Sequence, residues 1–146
     1  MNEESSEQES RIDEVLKECD GWAVNSKTIE TFLNHLNKYL DFPFEVIGLE
    51  DDVEYQLYEI EDSGDTMYGL TGNVKLLSNK RRRLVVALCD LEAVDERSKN
   101  YELLDDYSVW YCNSQWSVVD FDNKTIASIT EYLFSKIILF HHYGQI

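Results

Sequence analysis

The sequence predicts an α+β fold in which a small antiparallel sheet, curled or closed like a barrel, lies between an N-terminal and a C-terminal helix. Two observations support this prediction. Short apolar and aromatic runs follow one another between residues 53 and 121, separated by turn-forming residues, as in curled antiparallel sheets. Stretches with the 3.6-residue apolar period of amphipathic helices lie on both sides of these runs.

The first two helices are predicted from their N-caps and apolar stripes. Ser10 suits the start of a short helix, and Ser26 the start of a second, which ends before Pro43 because the residue before proline is pushed out of the helical region. Residues 1–9 are rich in Glu and Ser, and we expect them to be disordered. Residues 10–146 are then expected to form a single α+β domain.

The strands are predicted from alternation and from apolar runs. Alternating apolar residues start a strand at Val53, and the alternation breaks at Tyr58, which indicates a bulge or a change of face. Further strands are predicted at residues 67–70, 74–77, 84–88 and 107–112, and one more around residues 116–121.

A last helix is predicted after Asp122 or Asn123, either of which suits its N-cap. Its stripe is strongly apolar and ends near Gly144. Such a helix would cover an open end of the sheet or form a dimer seam. The stripe consists of Ile126, Ile129, Leu133, Ile137 and Phe140.

The net charge of −16 limits the classes of partner. It opposes binding to the nucleic-acid backbone and to anionic lipid, so we expect neither nucleic acid nor membrane as a partner. No apolar run reaches the length of a membrane span. The charge favours cations or a strongly basic protein surface.

The cysteines and the N-terminus indicate a cytoplasmic protein. The three cysteines form no CxxC pair, which is typical of free thiols in a reducing compartment. The first residues are acidic and polar, unlike a signal peptide. The chain also lacks a nucleophile-elbow motif and a Gly-rich phosphate loop, so we do not expect an enzyme.

Carboxylates set among apolar residues are the main functional signal. Asp90 and Glu92 share strand parity, and Asp105 and Asp106 are expected to enter an antiparallel neighbour that brings them near the same face. Buried or clustered charges need a counter-charge, and few Lys or Arg are close in sequence. A metal cation or a basic partner is therefore expected. The EF-hand consensus is absent, and a partial match that starts at Asp120 lacks the required Gly.

A basic stretch stands out against the acidic background: Lys75 and the run Lys80–Arg83 place five cations within nine residues. Such a run can contact nucleic acid. On a chain this acidic, we expect it to pair with nearby acids and to keep a hairpin edge soluble.

Between Leu36 and Asn113 the chain resembles the cyanobacterial-type calcium-binding protein family known as CcbP. The resemblance rests on Phe42-Pro43-Phe44-Glu45, Met67-Tyr68-Gly69-Leu70, Leu88-Cys89-Asp90-Leu91-Glu92 with Asp95, Asn100-Tyr101, and Leu104-Asp105-Asp106-Tyr107 with Trp110. It implies a small, acidic, non-EF-hand Ca²⁺ binder with a β-rich core. The ligands that it implies are Glu45, Asp90, Glu92, Asp105 and Asp106, with Asp51 and Asp52 as further candidates.

The sequence therefore predicts an intracellular calcium buffer or sensor with Ca²⁺ as its cofactor. The alternative is an acidic interaction module, of the immunity-protein or inhibitor type, that masks a basic protein partner.

Overall fold

The structure, a computed structural model, describes residues 3–117 of the chain. The helices in this part are α1 (Glu3–Val15), α2 (Ser26–Tyr39) and α3 (Lys99–Ser117). The strands are β1 (Phe44–Gly48), β2 (Glu54–Asp62), β3 (Leu70–Leu76), β4 (Arg83–Ala87) and β5 (Leu91–Ala93), with a 3₁₀ turn at Leu88–Asp90. The predicted last helix lies outside the described residues, as does most of the run at 116–121.

The five strands form one antiparallel sheet in the order β4-β3-β2-β1-β5. Its inner face carries Val46, Leu57 and Val74, which are fully buried in the same core as residues of the three helices. The opposite face carries exposed residues such as Glu54. The predicted α+β class with an antiparallel sheet is therefore confirmed.

Several predicted boundaries are confirmed. Helix α2 starts at Ser26 and ends before Pro43, although its side-chain cap is Asn25. The pairing of β2 with β3 shifts register between Leu57 and Glu59, which confirms the irregularity predicted at Tyr58. The prediction of two separate strands at 67–70 and 74–77 is wrong, because residues 70–76 form the single strand β3.

The strand predicted at residues 107–112 is wrong, because these residues belong to α3. Its buried side chains recur at the spacing of three, four and seven residues that defines one helical face. Tyr107, Val109 and Tyr111 stand at every second position, which is the period of a strand, and aromatic and β-branched residues favour strands. The two-residue period was therefore misleading. The buried residues of this face are Leu103, Leu104, Tyr107, Trp110, Tyr111 and Ser114.

Two further elements differ from the sequence-based prediction. Helix α1 starts at Glu3, seven residues before the predicted cap at Ser10. Strand β1 was not predicted, although it lies in the sheet between β2 and β5.

No helix among residues 3–117 is long and apolar enough to cross a membrane.

Aromatic side chains of α3 connect the helices to the sheet. The ring of Trp110 stacks on Phe32 of α2 with a centroid distance of 4.7 Å, and its indole N–H donates to the Trp22 carbonyl at 2.8 Å. The Leu70 N–H donates to the buried Tyr107 hydroxyl oxygen at 2.9 Å, where β3 begins. The position of α3 is thus fixed from both sides.

The backbone at Gly69 closely approaches this aromatic face. Gly69 has φ +64°, and a Cβ there would lie 2.5 Å from the Tyr107 hydroxyl and 2.6 Å from the Tyr111 ring. The packing of α3 against the start of β3 therefore requires a residue without a side chain.

We expect Gly69→Ala to lower the free energy of unfolding by about 2–4 kcal/mol, because it adds overpacking to an unfavourable left-handed conformation. The matched control is Gly64→Ala, because Gly64 has φ +81° and a Cβ added there would meet no atom within 4 Å. The control should lose only about 1 kcal/mol, the conformational part. Urea denaturation measures both, and equal losses would show that the contact with α3 is unimportant.

Candidate functional site

The seven candidate carboxylates are distributed over several parts of the fold. They are Glu45 on β1, Asp51 and Asp52 in the β1–β2 turn, Asp90 in the 3₁₀ turn, Glu92 on β5, and Asp105 and Asp106 on α3. Among residues 3–117, no group of three or more His, Cys, Asp or Glu side chains is arranged to hold a metal ion. The structure therefore does not gather the candidates into the single cluster that strand parity indicated.

Asp106 is compensated by α1. Its side chain is only 7% exposed, and the Arg11 guanidinium donates to both of its carboxylate oxygens, at 2.9 and 3.0 Å. Gln8 donates a further hydrogen bond at 3.0 Å. The same pairing raises the pKa of Arg11. The counter-charge for this buried carboxylate is thus an arginine 95 residues earlier in the chain.

Asp105 and Glu92 line one cleft between β5, α3 and Leu49. The cleft has a volume of about 110 Å³ and also contains Tyr101 and Ser108. The Tyr101 hydroxyl donates a hydrogen bond to the Glu92 carboxylate. This bond is the main cause that raises the pKa of the hydroxyl to about 12, and burial and the neighbouring negative charges act in the same direction. Asp105 is exposed and accepts a hydrogen bond from Gln8 at 2.8 Å. This cleft brings two predicted ligands together.

A second cleft, of about 300 Å³, borders the end of β5 at Ala93. It is lined by Glu45 of β1, Asp95 and Ser98 in the loop before α3, and Asn100 in its first turn. The Asp95 carbonyl accepts from the Ser98 hydroxyl at 2.7 Å, and its carboxylate accepts from the Arg97 N–H at 3.1 Å. The predicted ligand set did not include Ser98 or Asn100. Ser98 had no sequence signal beyond its place shortly after Asp95, whereas Asn100 was among the residues that carry the family resemblance.

The remaining candidates lie in turns, and the carboxylate of Asp51 has a structural role there. Asp51 accepts hydrogen bonds from the Val53 N–H at 2.9 Å and from the Tyr55 hydroxyl at 2.7 Å, which closes the β1–β2 turn. Asp52 occupies the left-handed region with φ +54°. The Asp90 carbonyl accepts from the Leu49 N–H at 2.9 Å and so links the 3₁₀ turn to the end of β1.

The donor chemistry of the two clefts suits a hard cation. Calcium accepts carboxylate, hydroxyl, amide and carbonyl oxygens as well as water, in six- to eight-fold coordination. Each cleft offers two carboxylates from different parts of the fold and at least one hydroxyl, and the second adds the Asn100 amide. The residues fit an open, partly hydrated calcium site better than a closed cage of protein ligands.

A third cleft, of about 360 Å³, lies among the helices and is lined by His35 with Arg11, Tyr39, Lys99 and Asp106, among others. Burial is the main cause that lowers the pKa of His35, and the positive charges of Lys99 and Lys38 act in the same direction. The negative charge of Asp106 opposes them. His35 is thus held in its neutral form more strongly than a histidine in water.

Most of the described chain matches one known protein family. A family model named Calci_bind_CcbP and described as calcium binding matches residues 23–111. The match confirms the resemblance predicted from the sequence, and α1 lies outside the matched segment. A search of curated proteins found no match.

Two solved structures share the fold. One is the crystal structure of Anabaena CcbP, with 16% identity over 75% of this chain and 91% of that chain and a TM-score of 0.58. The other is a calcium-binding protein in the calcium-binding form, with 16% identity over 73% of this chain and 90% of that chain and a TM-score of 0.59. At this identity the likeness establishes the fold alone.

We expect Arg11→Leu to lower the free energy of unfolding by about 1–3 kcal/mol, because it leaves the buried Asp106 carboxylate without its cation. The expected loss is smaller than for a fully buried ion pair, because Arg11 is partly exposed. Lys17→Leu is the matched control, since Lys17 forms an exposed ion pair with Glu14. Its loss should stay below about 1 kcal/mol. Chemical denaturation compares them, and similar losses would argue against a structural role of the Arg11–Asp106 pair.

We expect His35 to make the protein less stable as the pH falls below about 6.5, the ordinary histidine pKa. The unfolded state binds the proton more readily, because the folded-state pKa is lowered, so acid favours unfolding. Urea denaturation at several pH values between about 7.5 and about 5.5 should show a shallower decrease for His35→Gln than for the wild type. Parallel curves would contradict the burial of His35.

Proposed function

The chain belongs to the Calci_bind_CcbP family of calcium-binding proteins, and from this premise we propose that it binds Ca²⁺ beside β5. In this proposal the protein is a non-catalytic calcium buffer or sensor of the cytoplasm. The observation that carries the proposal is the pairing of carboxylates in the two clefts that border β5. Calcium is the cation in the family's description, which agrees with the cofactor predicted from the sequence.

Glu92 and Asp105 are the proposed ligands in the first cleft, and Glu45 is the proposed ligand in the second. Asp95, Ser98 and Asn100 would supply further oxygens beside Glu45. Of the other predicted ligands, Asp106 already has its counter-charge in Arg11. Asp51 accepts two hydrogen bonds within its own turn. We therefore assign these two residues structural roles.

Calcium would add positive charge between segments whose charged side chains in these clefts are all acidic. Glu92 lies on β5, whereas Asp105 lies on α3, so an ion bound by this pair would hold the sheet edge to the helix. Bound calcium stabilises the folded state by mass action, since the unfolded chain does not bring these carboxylates together. Calcium is favoured over magnesium, because an irregular set of oxygens suits the larger and less demanding ion.

We expect isothermal titration calorimetry to show Ca²⁺ binding that is tighter than Mg²⁺ binding and weaker at about pH 5 than at about pH 7, because protons compete for the carboxylates. Glu92→Gln and Asp105→Asn should each raise the Kd for one site about tenfold or more, and Glu45→Gln should do so for the other. Glu30→Gln is the control, since Glu30 is exposed on α2 and lines neither cleft.

Two outcomes would contradict the proposal. If the three variants bind calcium like the wild type, the ligand assignment is wrong. If Ca²⁺ and Mg²⁺ raise the melting temperature equally, the ions only screen the net charge, as the alternative of an acidic module with a basic protein partner predicts.

A further inference from the structure

The acids in the described part of the chain form no ion pair with the basic stretch. Within residues 6–114, where the structure describes the side chains, none of its five cations forms an ion pair. The expectation that this stretch pairs with nearby acids is therefore wrong for the described part of the chain. We call the surface formed by these cations and the exposed Val85 the basic edge. Its residues are Lys75, Lys80, Arg81, Arg82, Arg83 and Val85.

The basic edge coincides with one side of the sheet. Strand β4 is hydrogen-bonded to β3 and, among residues 3–117, to no other strand. Along β4, Arg83 and Val85 are exposed, and Val85 is 68% exposed, whereas Leu84 and Val86 are partly buried against the core. An edge strand presents backbone donors and acceptors to any extended chain that lies beside it.

Two of the cations are held in place by an aromatic ring. The Lys75 Nζ lies 5.0 Å from the centroid of the Tyr58 ring, and the Arg83 Cζ lies 5.9 Å from it. Lys75 and Arg83 are also direct partners in the pairing of β3 with β4. Cation–π contacts reduce the freedom of these long side chains, so less entropy is lost when an anionic group binds them.

We propose that the basic edge binds an acidic, extended segment of a partner protein that adds a strand to β4. Alternate side chains of an added strand point to one face of the sheet. Acidic residues at such positions would meet Arg83 and the neighbouring cations, and the apolar residues between them would lie on the other face, beside Leu84 and Val86. Backbone hydrogen bonds supply affinity in this mode, and the side chains supply selectivity.

The charge distribution favours a short acidic peptide over a larger polyanion. The chain as a whole carries −16, so a nucleic-acid duplex or an anionic membrane would also approach the acidic remainder of the surface. A single strand beside β4 stays within about 8 Å of the basic edge, the screening length at physiological salt. Attraction at the basic edge then outweighs the screened repulsion from more distant groups.

The proposal is tested on the full chain with a fluorescein-labelled octapeptide in which Glu and Val alternate. Fluorescence anisotropy is measured at low salt without divalent cations, so that the result is independent of calcium binding. We expect saturable binding that weakens with added salt. The variant Arg81→Gln/Arg82→Gln/Arg83→Gln should raise the Kd at least about tenfold. The control Lys17→Gln/Lys27→Gln/Lys38→Gln removes the same charge from other parts of the surface and should retain binding of the peptide.

A second probe separates strand addition from simple charge attraction. The same peptide with two central valines replaced by proline keeps its charge but loses backbone donors, so it should bind at least about tenfold more weakly. Equal binding of the two peptides would overturn strand addition. The proposal is also overturned if the alternating peptide does not bind, or if a single-stranded oligonucleotide or phosphatidylserine vesicles compete at lower concentration than the unlabelled peptide.

Discussion

The packing of the aromatic face of α3 against the sheet is the interaction on which the other features of the structure depend. Tyr107 contacts the start of β3 through the Leu70 N–H, and Trp110 stacks on Phe32 of α2. This face sets the rotation of α3 about its axis. Asp105 and Tyr101 are thereby turned towards β5, whereas the next residue, Asp106, is turned towards Arg11 of α1.

The sequence predicted those elements in which local pattern and tertiary burial agree. Helix α2 has a cap, an apolar stripe and a proline after its end, and its bounds were found almost without error. In α3, by contrast, the alternation of Tyr107, Val109 and Tyr111 with the residues between them suggested a strand. The helical period becomes visible only when all the buried positions are known, and burial cannot be read from the sequence. Strand β1 is short and follows Pro43, so it carries too few alternating positions to predict.

The candidate site shows the same difference between local and distant information. The acidic residues near β5 were singled out from the sequence, because they stand among apolar residues and few Lys or Arg residues are close to them in the chain. Their partners were not found, because the counter-charge of Asp106 is supplied by Arg11, which lies far away in the chain. Two adjacent carboxylates that looked equivalent in the sequence therefore differ in role. Asp106 anchors α1, an element outside the segment that matches the family, and Asp105 remains exposed beside Glu92.

The central claim is that calcium binds between β5 and the neighbouring parts of β1 and α3. Nuclear magnetic resonance of the side-chain carboxyl carbons, recorded during a calcium titration, tests it most directly. We predict saturable shifts for Glu45, Glu92 and Asp105, and much smaller shifts for Asp106 and Asp51, at concentrations where magnesium has little effect. The claim would be contradicted if the largest shifts occurred at Asp51 and Asp106 while Glu92 and Asp105 remained unchanged.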